Sequence, residues 1–260
     1  LGSISFIRRT IYQASFVALV IAVWAYFVRE QTTEMAMPPP WEVGRVFLNF
    51  ILTGELLYKL YNTVLAILVG LAASLVIGGF MVTSALLFTR AAYVVEVLTT
   101  IFHPMPSVAM IPLVIVWVGI GFEGVVALTI NSCLWPILLN SYTGFRAVHK
   151  TYMEVGRNVG LRKFKLILHV MIPSALPYLL AGLKVGWARS WRTVVAAEMV
   201  FGTTSASEGI GWFIFEALQY VNFSQILSGV LVIILFGIFM ERGVFETIEK
   251  KTVIRWGMSK

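Results

Sequence analysis

Three basic residues and one acid stand inside an apolar stretch long enough to cross a bilayer: Lys184, Arg189, Arg192 and Glu198, within Leu176 to Val200. A charge at mid-bilayer costs on the order of 3 kcal/mol on insertion scales, so such groups face a cavity or a partner. Two chemistries are open for Arg189 and Arg192: a basic lining that attracts an anion, or structural pairing with Glu198. Arg192 and Glu198 are six residues apart and do not face each other squarely on one helix. Lys184 can also snorkel to the nearer membrane surface. Trp187 and Trp191 are four apart and share a helix face, where they either pack between helices or stack on an aromatic solute. Asn131, in another apolar stretch, reads first as an interhelical hydrogen bond and second as lining. Arg189, Arg192, Glu198, Trp191 and Asn131 are therefore the candidate residues of a translocation path.

The rest of the side-chain inventory points away from catalysis. Three histidines without a nearby thiol cluster give no metal signature. His103 stands beside a chain break and is expected to make a local backbone bond rather than move protons. His149 and His169 fit a solvated basic face. The single Cys133 lies in an apolar stretch and excludes an intrachain disulfide. No G-x-x-x-x-G-K-[ST] segment occurs, so the chain carries no cofactor site of the P-loop kind. The formal net charge of +7 is of the sign that nucleic acid attracts, but the bases fall between apolar runs, which favours a membrane and no nucleic acid.

The elements that must hold these residues are membrane helices. The chain has 260 residues, 58% hydrophobic and 13% charged, against about 25% charged in a soluble domain. Apolar runs of about 20 residues recur, and a span must be helical throughout because lipid offers no partner for a loose N–H or C=O. The expected spans are Ile11–Val28, Tyr61–Met81, a broken span over 86–119, Val125–Tyr142, Leu176–Val200 and Phe223–Met240. The first reads as a span rather than a cleaved leader, since no small-residue cleavage site follows Trp24, Tyr26 and Phe27. Pro38–Pro40 exclude a continuous helix before Trp41–Tyr58, which reads as one helix near a surface. Gly70, Ala73, Ser74, Gly78 and Gly79 suit close helix packing. The fold class is all-α and polytopic, one membrane domain over 1–260, with no room for a soluble catalytic domain.

Charge sets the expected orientation. With six alternating spans, fourteen of the 20 basic residues fall on the side of the termini and the 143–169 stretch. These include Arg8, Arg9, Arg90 and the five bases from Arg242 to Lys260. The other side has Arg29, Arg45 and Lys59 against Glu30, Glu34, Glu42 and Glu55, and the 201–222 connection adds Glu208 and Glu216. The positive-inside rule makes the first side cytoplasmic. The 143–169 stretch is too polar for a span and fits one or two short amphipathic helices on that face, docking a soluble partner or lying on anionic lipid.

EVGRNVGLRKFKLILHVMIP, Glu154 to Pro173, resembles the EAA loop of binding-protein-dependent ABC importer permeases. Glu154 and Gly160 fall on its Glu and Gly. Val170, Ile172 and Pro173 fall on its closing I, L and P. Val155 and Gly156 stand where the family usually has two alanines. PMPSVAMIPLVIVWVGIG, IPSALPYLLAGLKVGWARSWRTVVAAEM and GIGW at Gly209–Trp212 resemble the nitrate, sulfonate and taurine branch. Ala66 stands where that branch commonly has an Arg.

The resemblance implies a permease subunit of an ATP-driven importer for a small solute, in a bacterial inner membrane, with both termini cytoplasmic. It implies coupling to the ATPase through 143–172, with Glu154, Arg157, Gly160, Val170 and Pro173 as candidates. The implied partners are two ATPase subunits carrying ATP and Mg, a second permease copy identical to this chain, an extracytoplasmic solute-binding protein and membrane lipid. The competing classes are an ion-coupled secondary transporter, a channel and a membrane scaffold. A secondary transporter more often shows internal repeats and acids in broken helices, and the EAA-like segment argues against all three.

Overall fold

The computed structural model describes residues 2–29, 37–202 and 208–254. Arg255 and Lys260 of the basic tail, Glu30, Glu34, and the side chains of Arg8 and Arg9 lie outside that description. The described chain is helical, with no strand among the described residues. It runs as α1 (Gly2–Arg29), α2 (Pro40–Leu52), α3 (Glu55–Leu87), α4 (Thr89–Phe102), a 3₁₀ turn (Ser107–Met110), α5 (Ile111–Trp117), α6 (Phe122–Arg146), α7 (Lys150–Asn158) and α8 (Phe164–Leu166). α8 passes through a π-helical turn (Ile167–Met171) into α9 (Ile172–Phe201). After α10 (Ile210–Gln219), α11 (Phe223–Ile238) continues through a π turn into α12 (Glu246–Glu249).

Five helical segments among the described residues are long and apolar enough to cross a membrane. The count reaches six if the bent pair Thr89–Phe102 and Ser107–Trp117 is one span. That pair turns by 93° at the sequence break read from His103–Pro106. Its missing Pro N–H groups rule out a continuous ladder there.

α6 is the centre of the protomer. It packs on α9 along one side and on α3 along the other, and 61% of its span window is buried, against none of α1. α1 touches chiefly α2. Small residues set the seams. Gly70, Ser74 and Gly78 recur at i, i+4 and i+8 on the buried face of α3. Ser74 Oγ donates to the Gly70 carbonyl at 2.8 Å and lies 3.5 Å from Cys133 Sγ. A side chain at Gly70 would run into Thr129. Gly79, expected in the same seam, faces open space.

One expectation changes. Trp41–Tyr58 is not one helix: α2 stops at Leu52 and α3 starts at Glu55, because Gly54 takes φ 81° and turns the chain. The 201–222 connection contains a helix of its own, α10.

The α3–α6 seam yields a paired prediction. Gly70→Ala should lower stability by about 1–3 kcal/mol through overpacking against Thr129. Gly79→Ala, on the same helix with no neighbour, should be neutral or slightly stabilising. Thermal unfolding of the detergent-purified chain separates the two, and equal melting temperatures would remove the seam argument.

Candidate functional site

Glu198 is 2% exposed, near the C-terminal end of α9. Its Oε2 accepts from Thr63 Oγ on α3 at 3.0 Å and from the Gly211 N–H at 2.9 Å. Thr63 Oγ in turn accepts from the Ile210 N–H at 2.9 Å. These N–H groups open α10 and have no partner within the helix. The carboxylate also sits at the positive end of the α10 dipole. A Cβ at Gly211 would strike the Val195 carbonyl and lie 2.8 Å from Glu198 Cβ, and a Cβ at Gly209 would fall on the carboxylate itself. The Gly209-Ile-Gly211 spacing thus lets α10 seat on the acid. Beside it, Lys59 Nζ meets Glu208 Oε2 at 2.8 Å, and Asn62 donates to the Glu208 carbonyl at 3.1 Å.

Of the two chemistries open for the arginines, pairing with Glu198 does not form, and Glu198 does not face an open path. It is enclosed between α3, α9 and α10. Trp191 is likewise enclosed: it stacks on Trp187 at 6.5 Å and packs on Phe236 at 5.1 Å, in the core that α6 and α9 share. Packing is the role of that pair in the protomer.

Arg189 and Arg192 part company. Both terminal nitrogens of Arg189 donate to the His103 carbonyl at 3.3 Å. The residue therefore serves the break between α4 and the 3₁₀ turn. The His103 ring makes no local backbone bond, contrary to expectation: its Nδ1 is buried without a partner. Asn131 does bridge helices, donating to Ser107 Oγ at 3.4 Å and accepting from Trp135 Nε1 at 3.1 Å. Arg192 is exposed, and its Nε donates to the Ala188 carbonyl at 3.0 Å. Its two terminal nitrogens make no hydrogen bond or ion pair among the described residues. Arg192 shares an uncovered α9 face with Ala181, Val185 and Ala188. It lies nine residues from the helix end at Phe201, or about 14 Å at 1.5 Å per residue. Lys184 does not stand free, but pairs with Glu241 at 2.5 Å.

A cavity of about 390 Å³ opens between α4 and α6, lined by Glu96, Thr99, Thr100, His103, Tyr142 and Arg146 among others. Arg146 lies over the Tyr142 ring at 5.6 Å. Arg189 reaches the wall of this cavity through His103.

At the other end, α7 carries Glu154 and Arg157, both exposed and without an ion pair among the described residues. His149 caps α7, its Nδ1 accepting from the Thr151 N–H at 3.3 Å. The helix stops in a Schellman turn: Gly160 N–H donates to the Arg157 carbonyl and Leu161 N–H to the Gly156 carbonyl, both at 2.9 Å. Gly160 takes φ 85°, a conformation that favours glycine. Gly156 lies where a Cβ would stand 2.7 Å from Leu166 and 2.9 Å from Val170. The glycine in place of the motif's second alanine therefore lets α7 fold back onto the π turn. Val170 and Pro173 are half-buried there, and His169 Nδ1 lies 3.0 Å from the Lys165 carbonyl.

These polar residues that tie up chain breaks, and the short helix folded against the base of a long span, lie on five or six helices long and apolar enough to cross a membrane, the architecture of a polytopic membrane protein. Residues 70–242 match the family model described as the binding-protein-dependent transport system inner membrane component, and the chain belongs to that family. It is 23% identical over 239 residues to the taurine transport system permease protein TauC of Escherichia coli (strain K12), covering 90% of this chain and 86% of that one. It is 24% identical over 244 residues to the nitrate import permease protein NrtB of Synechocystis sp. (strain ATCC 27184 / PCC 6803 / Kazusa), covering 90% and 86%.

Sequence reasoning missed Thr63 and Lys59. Their partners lie 135 and 149 residues away, and no local pattern marks them. If Thr63 and Glu198 act as one unit, Thr63→Val should cost about 1–3 kcal/mol by leaving a buried acceptor short of a donor. Adding Glu198→Gln should cost less than the sum of the singles. Arg192→Gln and Glu198→Gln should be additive. Thermal unfolding of the three single variants and the two doubles measures both couplings; additivity of the first pair would dissolve the unit.

Proposed function

We propose that this permease subunit passes a small anion into the cytoplasm, with Arg192 as the charge the anion meets within the span. The observation that carries the reading is that both terminal nitrogens of Arg192, on an uncovered face of α9, lack a partner among the described residues. A charge there is too costly to face hydrocarbon, so the face belongs to a wet path or a partner. In a low-dielectric wall such a charge attracts an anion far more strongly than in water. Taurine and nitrate, named for two relatives, both carry compact oxyanion groups. The α4–α6 cavity, with Thr99, Thr100 and Arg146, supplies further polar wall. Arg189 holds that wall in shape through the His103 carbonyl.

In this reading residues 1–260 form one permease domain that pairs with a second copy of itself, and the path runs between the two. Two ATPase subunits, which bind ATP and Mg, attach through 143–172, with Glu154 and Arg157 on the exposed side of α7 and Gly160, Val170 and Pro173 setting its pose. An extracytoplasmic binding protein delivers the solute. The termini lie in the cytoplasm, as the basic excess on their side supports. The chain itself performs no chemistry on the solute.

Replacing Arg192 by Gln removes the charge and keeps hydrogen-bonding capacity. A charge-assisted contact is worth about 1.5–3 kcal/mol. Anion transport by the reconstituted complex should therefore fall roughly 10- to 100-fold, with complex yield and basal ATP turnover retained. Transport at the wild-type rate would sink the anion reading.

Reversing Glu154 to Lys tests the coupling end separately. Solute-stimulated ATP turnover should drop several-fold while the subunit still inserts. Normal coupled turnover would remove Glu154 from the contact.

A further inference from the structure

A second cavity, of about 620 Å³, lies where α3 ends and the α7–α8 turn folds beneath it. Its walls include Leu86 and Leu87 from the last turn of the α3 span and Ile167 from the π turn. Arg157, Arg162 and Lys163 also line it, and no acidic residue does. All three cationic side chains are exposed, and none makes a hydrogen bond or ion pair among the described residues. Glu154, the lone acid of the 143–172 stretch, is not in the lining. Beside the cavity, Phe88 is 64% and Phe164 59% exposed.

Three features select the occupant. The volume is that of a small-molecule site, about 300–1,000 Å³. It is too small for a docked helix, which is about 10–12 Å across with its side chains. The floor is apolar because it is the end of a membrane span, so the cavity stands at the level where the hydrocarbon gives way to headgroups. The rim is cationic and unneutralised. A molecule that meets all three is amphipathic and anionic, and it is concentrated at that depth.

We propose that this cavity holds the headgroup of an anionic phospholipid, with its phosphate on Arg162 and Lys163 and its first acyl carbons on Leu86, Leu87 and Ile167. The lipid ties the end of α3 to the turn between α7 and α8. Basic pockets at helix ends take anionic headgroups on this chemistry. The inference rests on the membrane assignment of the chain, not on an anionic solute or on a coupling role for Glu154.

The test uses the full chain purified in detergent and titrated with phosphatidylglycerol, with bound lipid counted by native mass spectrometry. Wild type should retain phosphatidylglycerol and not phosphatidylcholine. The double variant Arg162→Gln with Lys163→Gln should bind about 30-fold more weakly, from about fivefold for each basic contact removed. Lys250→Gln with Lys251→Gln, which removes as much charge from the exposed C-terminal helix, should bind as wild type. Leu87→Glu keeps all three cations and sets an acid beside the phosphate; it too should lose the lipid, and it decides the matter if the double variant fails to fold. Undiminished phosphatidylglycerol binding by the double variant or by Leu87→Glu would overturn the proposal. So would equal loss in the Lys250 and Lys251 control, which would reduce the effect to net charge. Displacement by millimolar inorganic phosphate would also overturn it, and would assign the rim to a soluble anion.

Discussion

A backbone N–H or C=O left alone in hydrocarbon costs several kcal/mol, and this structure is organised around the places where its helices break. At the 93° turn after α4, the His103 carbonyl takes two bonds from Arg189. Asn131 ties the following 3₁₀ turn to α6 through Ser107. At the start of α10, Thr63 and Glu198 take the Ile210 and Gly211 N–H groups. At the end of α7 the orphan carbonyls are closed by Gly160 and Leu161. Thr63, Glu198 and Arg189 are thereby accounted for by backbone groups that a regular helix would have satisfied itself.

The same constraint joins the two ends of the subunit. Phe164–Phe201 is continuously helical over 38 residues, about 57 Å at 1.5 Å per residue. Pro173 and Pro177 lie inside it and remove two N–H donors. The π turn Ile167–Met171 directly precedes Pro173, and a wider turn is one recognised way for a helix to absorb such a defect. α7 packs onto this wide turn through Gly156, and α10 is bound to the far end through Glu198. One rod therefore carries α7 at its base, Arg192 nine residues short of its end and the α10 anchor at its tip. In the proposed reading, a displacement of α7 reaches the face that carries Arg192 through this rod.

Much of this was legible in the sequence because it is local. Span positions follow from runs of apolar residues, the sharp break from His103-Pro-Met-Pro106, and the turn after α7 from Gly160. The α3 seam was visible as recurring small residues, although Gly79 shows that composition does not give the face. What was not legible depends on distant partners. Ile210–Gln219 is apolar but only 10 residues long, too short to register as a span, and its anchor comes from α3 and α9. Glu198 read as a path or ion-pair residue because its actual partners, a hydroxyl and a backbone N–H, carry no charge to look for. Gly209 and Gly211 were visible as a motif, yet only the buried carboxylate explains why a side chain at either position is excluded.

Arg189 and Arg192 sit three residues apart in one span and give the same signal in sequence, yet the structure divides their work. Arg189 spends its hydrogen-bonding capacity on a neutral carbonyl, which leaves its positive charge uncompensated. Arg192 is tethered by Nε alone, so its planar terminal nitrogens are held in one direction and remain vacant. No acid pairs with either among the described residues: Glu198, six residues on from Arg192 and nine from Arg189, leaves the helix on another side and is bound to α10. In the proposed reading, the two charges and the one open fork form a field that favours an oxyanion without the enclosure that would trap it. Glu198 thus serves the tip of α9 by holding α10, and helix geometry, rather than that anchor, keeps its carboxylate from the two arginines.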